Sequence, residues 1–387
     1  MKLKSRPEDF DVEELTEFPL GNGPFATYLL TKKSLGTPEA ISAIATRWKL
    51  SRRQISFGGL KDKYAVTRQW VTIHRGPRRD LKQENLTLAY RGQAERAFES
   101  QDITANRFRI ALRNLTGDAA DRILARQDLL ARDGAPNYFD DQRFGSLGES
   151  DEFIARPWCQ GDYERALWLA LAEPNPHDRP ADRAEKATIR NLWNRWAECQ
   201  AALPRSPRGR IVTYLSENPT RYREALALFP QELRSLWLAA FQSDLWNRLL
   251  SEWLREHVGA SRLANVRLVS SDAAFYTELT DAERDLLEQT PLPLPSARLH
   301  LEPGPLLTHY ENVLASQELT LRELRVKYPR DSFFSKGDRS AIVIPRDLEI
   351  STSPDTLHSG RHMSLLQFTL PRGAYATIQV KRLTELS

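Results

Sequence analysis

Cysteine is almost missing from this chain. Cys159 and Cys199 are the only two in 387 residues, too few for a disulfide framework or a four-thiolate zinc site, so a reducing cytoplasm is the expected compartment. Long apolar runs are missing too. Stretches such as Ala166 to Ala172 fall far short of the about 20 residues that a membrane helix needs. The charged start Met1-Lys2-Leu3-Lys4 leads into no apolar signal segment, and neither secretion nor membrane association is expected. There is no GxxxxGK[ST] phosphate loop and no HExxH, and Gly21-Asn22-Gly23 runs into Pro24 instead of completing a dinucleotide fingerprint. His358 and His362 flank Gly360 in a Ser/Pro/Thr-rich stretch that reads as a loop, not as a metal site. Neither cysteine has a histidine neighbour to activate it.

What is present is an ordinary globular composition, 41% hydrophobic and 27% charged, with length for about two domains. The net charge of +4 hides a segregation. Between Arg47 and Arg79 stand ten basic residues and one acid, Asp62, so this stretch carries 10 − 1 = +9 and the remainder 4 − 9 = −5. That distribution points to a polyanion-binding face.

Periodicity places elements along the chain. Phe10, Val12 and Glu14 alternate with Asp11 and Glu13 as in a half-buried strand, and Phe25 to Leu30 is a second strand candidate. Thr37-Pro38-Glu39 has the form of a helix start with Thr37 as cap, followed by Ile41, Ile44, Ala45 and Trp48 on one helical face. Short strands are expected at Ile55 to Phe57 and Trp70 to Ile73, with Gly58 to Lys63 as the loop between them. Phe108, Ile110 and Leu112 give the next strand an apolar face, and Arg107, Arg109 and Arg113 make the other face basic. Helices are expected over Asp118 to Asp133, ending at Gly134, over Ala184 to Leu203, and over Pro230 to Glu256. Strands are expected at Ala341 to Ile344, Met363 to Leu370 and Tyr375 to Leu383. Strands at both ends around a helical middle suggest a sheet domain interrupted by an insertion.

Asp62 is the residue left for chemistry. A carboxylate between Lys61 and Lys63 in a Gly-led loop reads as a plain turn aspartate, which turns favour. It also reads as a carboxylate kept ionised by cations that draw in a phosphate backbone.

Lys61-Asp62-Lys63 followed by Ala65, Thr67 and Gln69, with Pro7-Glu8-Asp9-Phe10 upstream and Pro136-Asn137-Tyr138-Phe139 downstream, resembles in residues and order the TruD-type pseudouridine synthases. Gly59-Leu60-Lys61-Asp62-Lys63-Tyr64-Ala65-Val66-Thr67-Arg68-Gln69 is similar to the family's GxKDxxAxTxQ signature. Arg6 to Phe10 with Val12-Glu13-Glu14 resembles PEDFxVxE, and Asn106-Arg107-Phe108 resembles its NxF strand. Pro136 to Phe139 with Gln142 to Gly145 resembles PNYFGxQRFG, although Asp140-Asp141 replaces the usual Gly-containing pair. Leu370 to Thr377 resembles LPxGxxAT.

The resemblance implies an α+β catalytic domain with a mixed, largely antiparallel sheet, built from residues 1–158 and 336–387, and an inserted α/β domain over 159–335. It implies an isomerase that detaches uracil from its ribose, rotates it and rejoins it through carbon. That bond exchange is internal and asks for no cofactor and no metal. Asp62 takes the role of nucleophile. Phe10 and Tyr375 would offer π faces to a flipped-out base, and Asn106 would read its edge as donor and acceptor. Lys4 would contact phosphate or the catalytic carboxylate, while Gln69 and Arg143 would support the loops around the site. The implied partner is RNA, foremost tRNA at position 13, with no obligatory protein partner. Two rivals stand beside this reading. One is an RNA-binding protein that kept the fold and lost catalysis. The other is a metal-dependent nuclease using Asp62 with Glu13 or Glu14.

Overall fold

A computed structural model describes residues 1–386 and divides the chain into two compact units. One joins Met1–Ala135 to Val343–Leu386; the other is Pro136–Ile342. The expected limits after residue 158 and before residue 336 thus lie inside the second unit. The reason is packing: Phe144, Phe153 and Trp158 are buried in the helical core beside Phe241 and Trp237, so the PNYF–QRFG stretch folds with the helices.

The first unit is a ten-stranded sheet. In chain order its elements are β1 (Lys2–Leu3), β2 (Phe10–Leu15), β3 (Phe25–Lys33), α1 (Thr37–Trp48), β4 (Ile55–Phe57), β5 (Val66–His74), β6 (Leu81–Gln83), β7 (Leu86–Ala94), β8 (Ala105–Leu115), α2 (Gly117–Ala125), α3 (Gln127–Asp133), β9 (Arg346–Pro354), β10 (His362–Pro371) and α4 (Ala376–Thr384). The strand order is β9-β10-β8-β2-β5-β3-β7-β6, with β1 also on β8 and β4 also on β5. Every pairing is antiparallel except β2 with β5, which run parallel with Asp11 opposite Val66. On one face Ile41 and Ile44 of α1 pack against Tyr28 and Leu30 of β3, Val71 and Ile73 of β5 and Leu88 of β7.

Several local expectations are corrected. The span from Tyr375 to Leu383 is helix α4, not a strand. Its β-branched residues mimic a strand, but the buried positions Ala376, Gln379, Val380 and Leu383 recur at three to four residues. Strand β9 has no counterpart among the expected strands because, on an edge of the sheet, it buries only Ile350. Asp118 to Asp133 is two helices that break at Arg126, although Gly134 does end the second with φ 62°. A side chain has no room there, since a Cβ would sit 2.3 Å from the Val343 carbonyl oxygen. Ala184 to Leu203 is also two helices, Pro180–Asn191 and Trp196–Ala202, with Asn194 left-handed at φ 66° between them.

The second unit combines helices with short strands, as expected of an α/β insertion, and helices make up most of it. Its longest helix, Gln231–His257, buries Trp237, Phe241, Leu245 and Leu249. Two small antiparallel ladders, Leu263–Arg267 with Asp272–Tyr276 and Pro291–Pro293 with Asp338–Ser340, complete it. Among the described residues no helix is long and apolar enough to cross a membrane.

Candidate active site

Asp62 lies on the loop that carries the chain from β4 into β5. Three side chains of the neighbouring elements hold that loop from below. The Thr37 hydroxyl, in the first turn of α1, accepts the Lys61 backbone N–H at 3.0 Å and donates to Gln69 Oε1 at 2.9 Å. Gln69 Nε2 in turn donates to the Gly59 carbonyl at 3.2 Å. Thr37 is therefore not the helix cap, a position held by Gly36, but a cross-link between helix, strand and loop. The third support is Lys32 on β3, only 1% exposed, whose ammonium donates to the Asp62 carbonyl at 2.8 Å.

Burial draws the Lys32 pKa down to about 8 from an ordinary 10.5, against the pull of the Asp62 and Glu39 charges. Between those two values the unfolded chain holds a proton that the folded chain has released, so stability should rise with pH across that window. Urea unfolding at pH 7.5 and 9.5 checks this. The wild-type protein should gain stability relative to Lys32→Met, and parallel pH dependences would contradict the assignment.

Above the loop, the Asp62 carboxylate meets the Lys4 ammonium at 2.6 Å, the two side chains being 20% and 25% exposed. Lys4 turns with a left-handed φ of 58° between β1 and the turn that opens β2. Its ammonium also sits 4.0 Å from the centre of the Phe10 ring. Phe10 itself is a core residue, 5% exposed, with Phe108 edge-on at 6.3 Å. Its ring is thus covered rather than presented as an open stacking face.

The N-terminal segment that carries Lys4 is anchored through Asp9. This buried carboxylate accepts Arg6 N–H at 3.1 Å and Arg113 Nε at 2.8 Å. Arg113 also reaches Asp355 at 2.8 Å, and both carboxylates and the guanidinium are almost wholly buried. The expected basic face of β8 is therefore real only at Arg107 and Arg109, which are exposed. Two backbone N–H groups, His358 and Arg113 hold the Asp355 carboxyl well below the usual carboxylate range despite its burial.

Lys61 faces the other way. Its ammonium lies 2.8 Å from Asn106 Oδ1 and 3.0 Å from Glu14 Oε1. Glu14 is fully buried, and burial pushes its carboxyl up while Lys61 and the Trp70 N–H oppose that. The Asn106 carbonyl accepts from Lys61, and its NH2 group adds two donors for incoming groups. Alternation along β2 is enough to place Glu14 on the buried face. Nothing in the sequence marks Lys32, which lies 30 residues before the loop it supports.

The carboxylates of a nuclease-type centre are all matched with cations: Asp62 with Lys4, Glu14 with Lys61, and Glu13 with Arg107 at 3.3 Å. Among the described residues no three His, Cys, Asp or Glu side chains gather into a group of the kind that holds a metal ion.

Lys4, Phe10, Asp62, Gln69 and Asn106 thus belong to one connected set of contacts. Tyr375 lies four residues past Pro371, and the last residues of β10 pair Leu370 with Asn106 and Pro371 with Ala105, so it follows the strand end beside Asn106. Arg143 belongs to the second unit, where its guanidinium donates to the Ser243 hydroxyl at 3.3 Å and lies 5.7 Å from the Phe139 ring centre.

The family described as tRNA pseudouridine synthase D (TruD) matches residues 1–383. Among curated relatives, the protein named Probable tRNA pseudouridine synthase D 2 of Methanocaldococcus jannaschii is 29% identical over 99% of this chain and 91% of its own. The tRNA pseudouridine synthase D of Aquifex aeolicus is 26% identical over 99% and 98%. A Methanosarcina mazei crystal structure assigned to tRNA pseudouridine synthase D (TruD) superposes with a TM-score of 0.74 at 23% identity, covering 100% of this chain and 94% of that one, which shows a shared fold.

Proposed function

Since this chain belongs to the tRNA pseudouridine synthase D family, an isomerase family acting on tRNA, we propose that it converts uridine to pseudouridine in tRNA, at position 13, in the cytoplasm, with Asp62 as the attacking carboxylate. The observation that carries this reading is the Asp62–Lys4 pair on a loop braced by Thr37, Gln69 and Lys32. A nucleophile must be held still and ionised at the point where the sugar arrives. The braces supply the first condition, and Lys4 is the counter-ion that supplies the second.

A uridine inside a folded RNA must leave its stack to reach Asp62. The Asn106 NH2 group then suits a carbonyl oxygen of the extruded base, and Tyr375 supplies the stacking face that Phe10 does not leave open. Asp62 either bonds to the ribose or removes a ribose proton to release uracil as a glycal is formed. In both routes the base rotates and rejoins through its C5 carbon, and the C5 proton is lost.

That lost proton gives the test. Unmodified tRNA carrying tritium at uridine C5 should release tritium to water on incubation with the protein, with one pseudouridine mapped to position 13. Stable retention of tritium in every tRNA offered would refute the activity, and release from another position would refute the site assignment.

A further inference from the structure

The stretch of ten cations between Arg47 and Arg79 does not surround Asp62 as one face. Its three members nearest the loop are neutralised: Lys61 pairs with Glu14, Lys63 with Glu39 and Arg68 with Asp11. The other seven gather at the opposite end of β5. Arg47 and Lys49 lie at the C-terminal end of α1, where a helix end also favours positive charge. Arg52 and Arg53 precede β4, whose Ile55 faces Ile73 near the end of β5, and Gln54 donates to the His74 carbonyl at 3.2 Å. Arg75, Arg78 and Arg79 follow β5 directly. The two ends of this group are tied together, because Trp48 at the end of α1 packs on Tyr28, whose hydroxyl donates to the Pro77 carbonyl.

None of these seven has an ion-pair partner among the described residues, and all seven are exposed. Two acids stand near this end of the sheet. Asp80 follows Arg79 and accepts the Tyr90 N–H, and Glu95 follows β7 and accepts the Asn22 N–H. Counting both acids still leaves 7 − 2 = +5 there.

We propose that this patch is a second RNA contact, which grips the phosphate backbone of the same tRNA away from the reacting uridine. The proposal rests on the function given above. Its distance from the site follows from the strand. Lys32, whose ammonium holds the Asp62 carbonyl, is paired with Thr67, and the patch begins after His74. Seven residues at ~3.3 Å each separate them by roughly 20–25 Å. Helix α1 spans the same gap, from Thr37 under the Asp62 loop to Lys49 in the patch. A rigid strand and helix therefore fix the spacing between the pocket and the patch. Seven unpaired cations without a reading side chain suit phosphates, which set position and register, rather than bases.

The test uses the full chain with Arg53, Arg75, Arg78 and Arg79 all changed to Gln. None of these residues contacts the Asp62 loop. Binding of full-length tRNA should weaken at least tenfold, and the slope of log affinity against log salt should become shallower by about 2–4, near one for each phosphate no longer neutralised. Turnover at saturating tRNA should stay at the wild-type rate, which also shows that the variant is folded. The pair Arg78→Gln with Arg79→Gln should give about half the change in slope and serves if the fourfold variant is unstable. Unchanged affinity and slope, with wild-type protein active, would overturn the patch and leave the activity standing. Wild-type protein that binds with the predicted salt slope, abolished in the variant, yet never forms pseudouridine would overturn the activity and retain the patch.

Discussion

Asp62→Asn should abolish pseudouridine formation while leaving a folded protein that still binds tRNA. The substitution keeps the side chain's size and its capacity for turn hydrogen bonds, and it removes only the charge and the nucleophile. The braces of the loop do not use the carboxylate: Thr37 bonds the Lys61 N–H, Gln69 the Gly59 carbonyl and Lys32 the Asp62 carbonyl. The carboxylate's partner, Lys4, is partly exposed, so losing that pair should cost about 0–1 kcal/mol of stability. Tritium release should fall below detection, and tRNA affinity should hold or rise, because one negative charge has left a surface that meets phosphates. Sustained turnover in folded Asp62→Asn protein, shown by mass to be free of reversion to Asp, would remove Asp62 from the chemistry. A wild-type protein as inactive as the variant would favour a binding role for the fold.

The second large effect belongs to Arg113. Its guanidinium is buried between Asp9 and Asp355, and all three groups are at most 2% exposed. Arg113→Met keeps much of the side chain's bulk but leaves two buried carboxylates without their shared cation. Removing one partner of a buried ionic cluster typically costs about 3–5 kcal/mol. The low end is expected here, since Asp355 keeps the N–H groups of Asn114 and Leu357 and Asp9 keeps that of Arg6. The urea midpoint should fall with the denaturant slope unchanged. Activity should fall too, because Asp9 anchors the segment that brings Lys4 to Asp62. The wild-type cluster should also weaken in acid. The folded pKa of Asp355 lies below its unfolded value, so its contribution is complete above the ordinary carboxylate range and drains away as the pH falls. A cost under 1 kcal/mol would show that the carboxylates find water or other partners.

How much of this is legible in the sequence depends on how local the signal is. Alternation over Phe10 to Glu14 marks β2 and puts Glu14 inside, and the helical face from Ile41 to Trp48 marks α1, because each is decided by neighbours in the chain. The family motifs bring forward Lys4, Phe10, Gln69 and Asn106, which the fold joins to Asp62 in one set of contacts. Three things are not legible. The sequence of β8 alternates arginine with apolar residues, but no pattern in it says that one arginine, Arg113, is capped by an aspartate 242 residues away. Charge counting shows ten cations together, yet it cannot show that a nine-residue strand separates those that are paired from those that are not. Helix α4 reads as a strand because Thr377, Ile378 and Val380 favour sheets, and the face it buries exists only once α2 and α3 are in place.

The order of the strands also sets a timetable for making the protein. β8 lies between β2 and β10, but β10 is separated from it in the chain by the whole of residues 136–342. At translation rates of roughly 5–20 residues per second, those residues take about 10–40 s to emerge. For that interval the nascent chain carries the exposed edge of β8, a row of unsatisfied N–H and C=O groups of the kind that recruits other strands. Arg107 and Arg109, exposed along that strand, put charge where an intruding strand would have to lie. Charged side chains on an open edge strand are one of the general means by which proteins discourage such pairing.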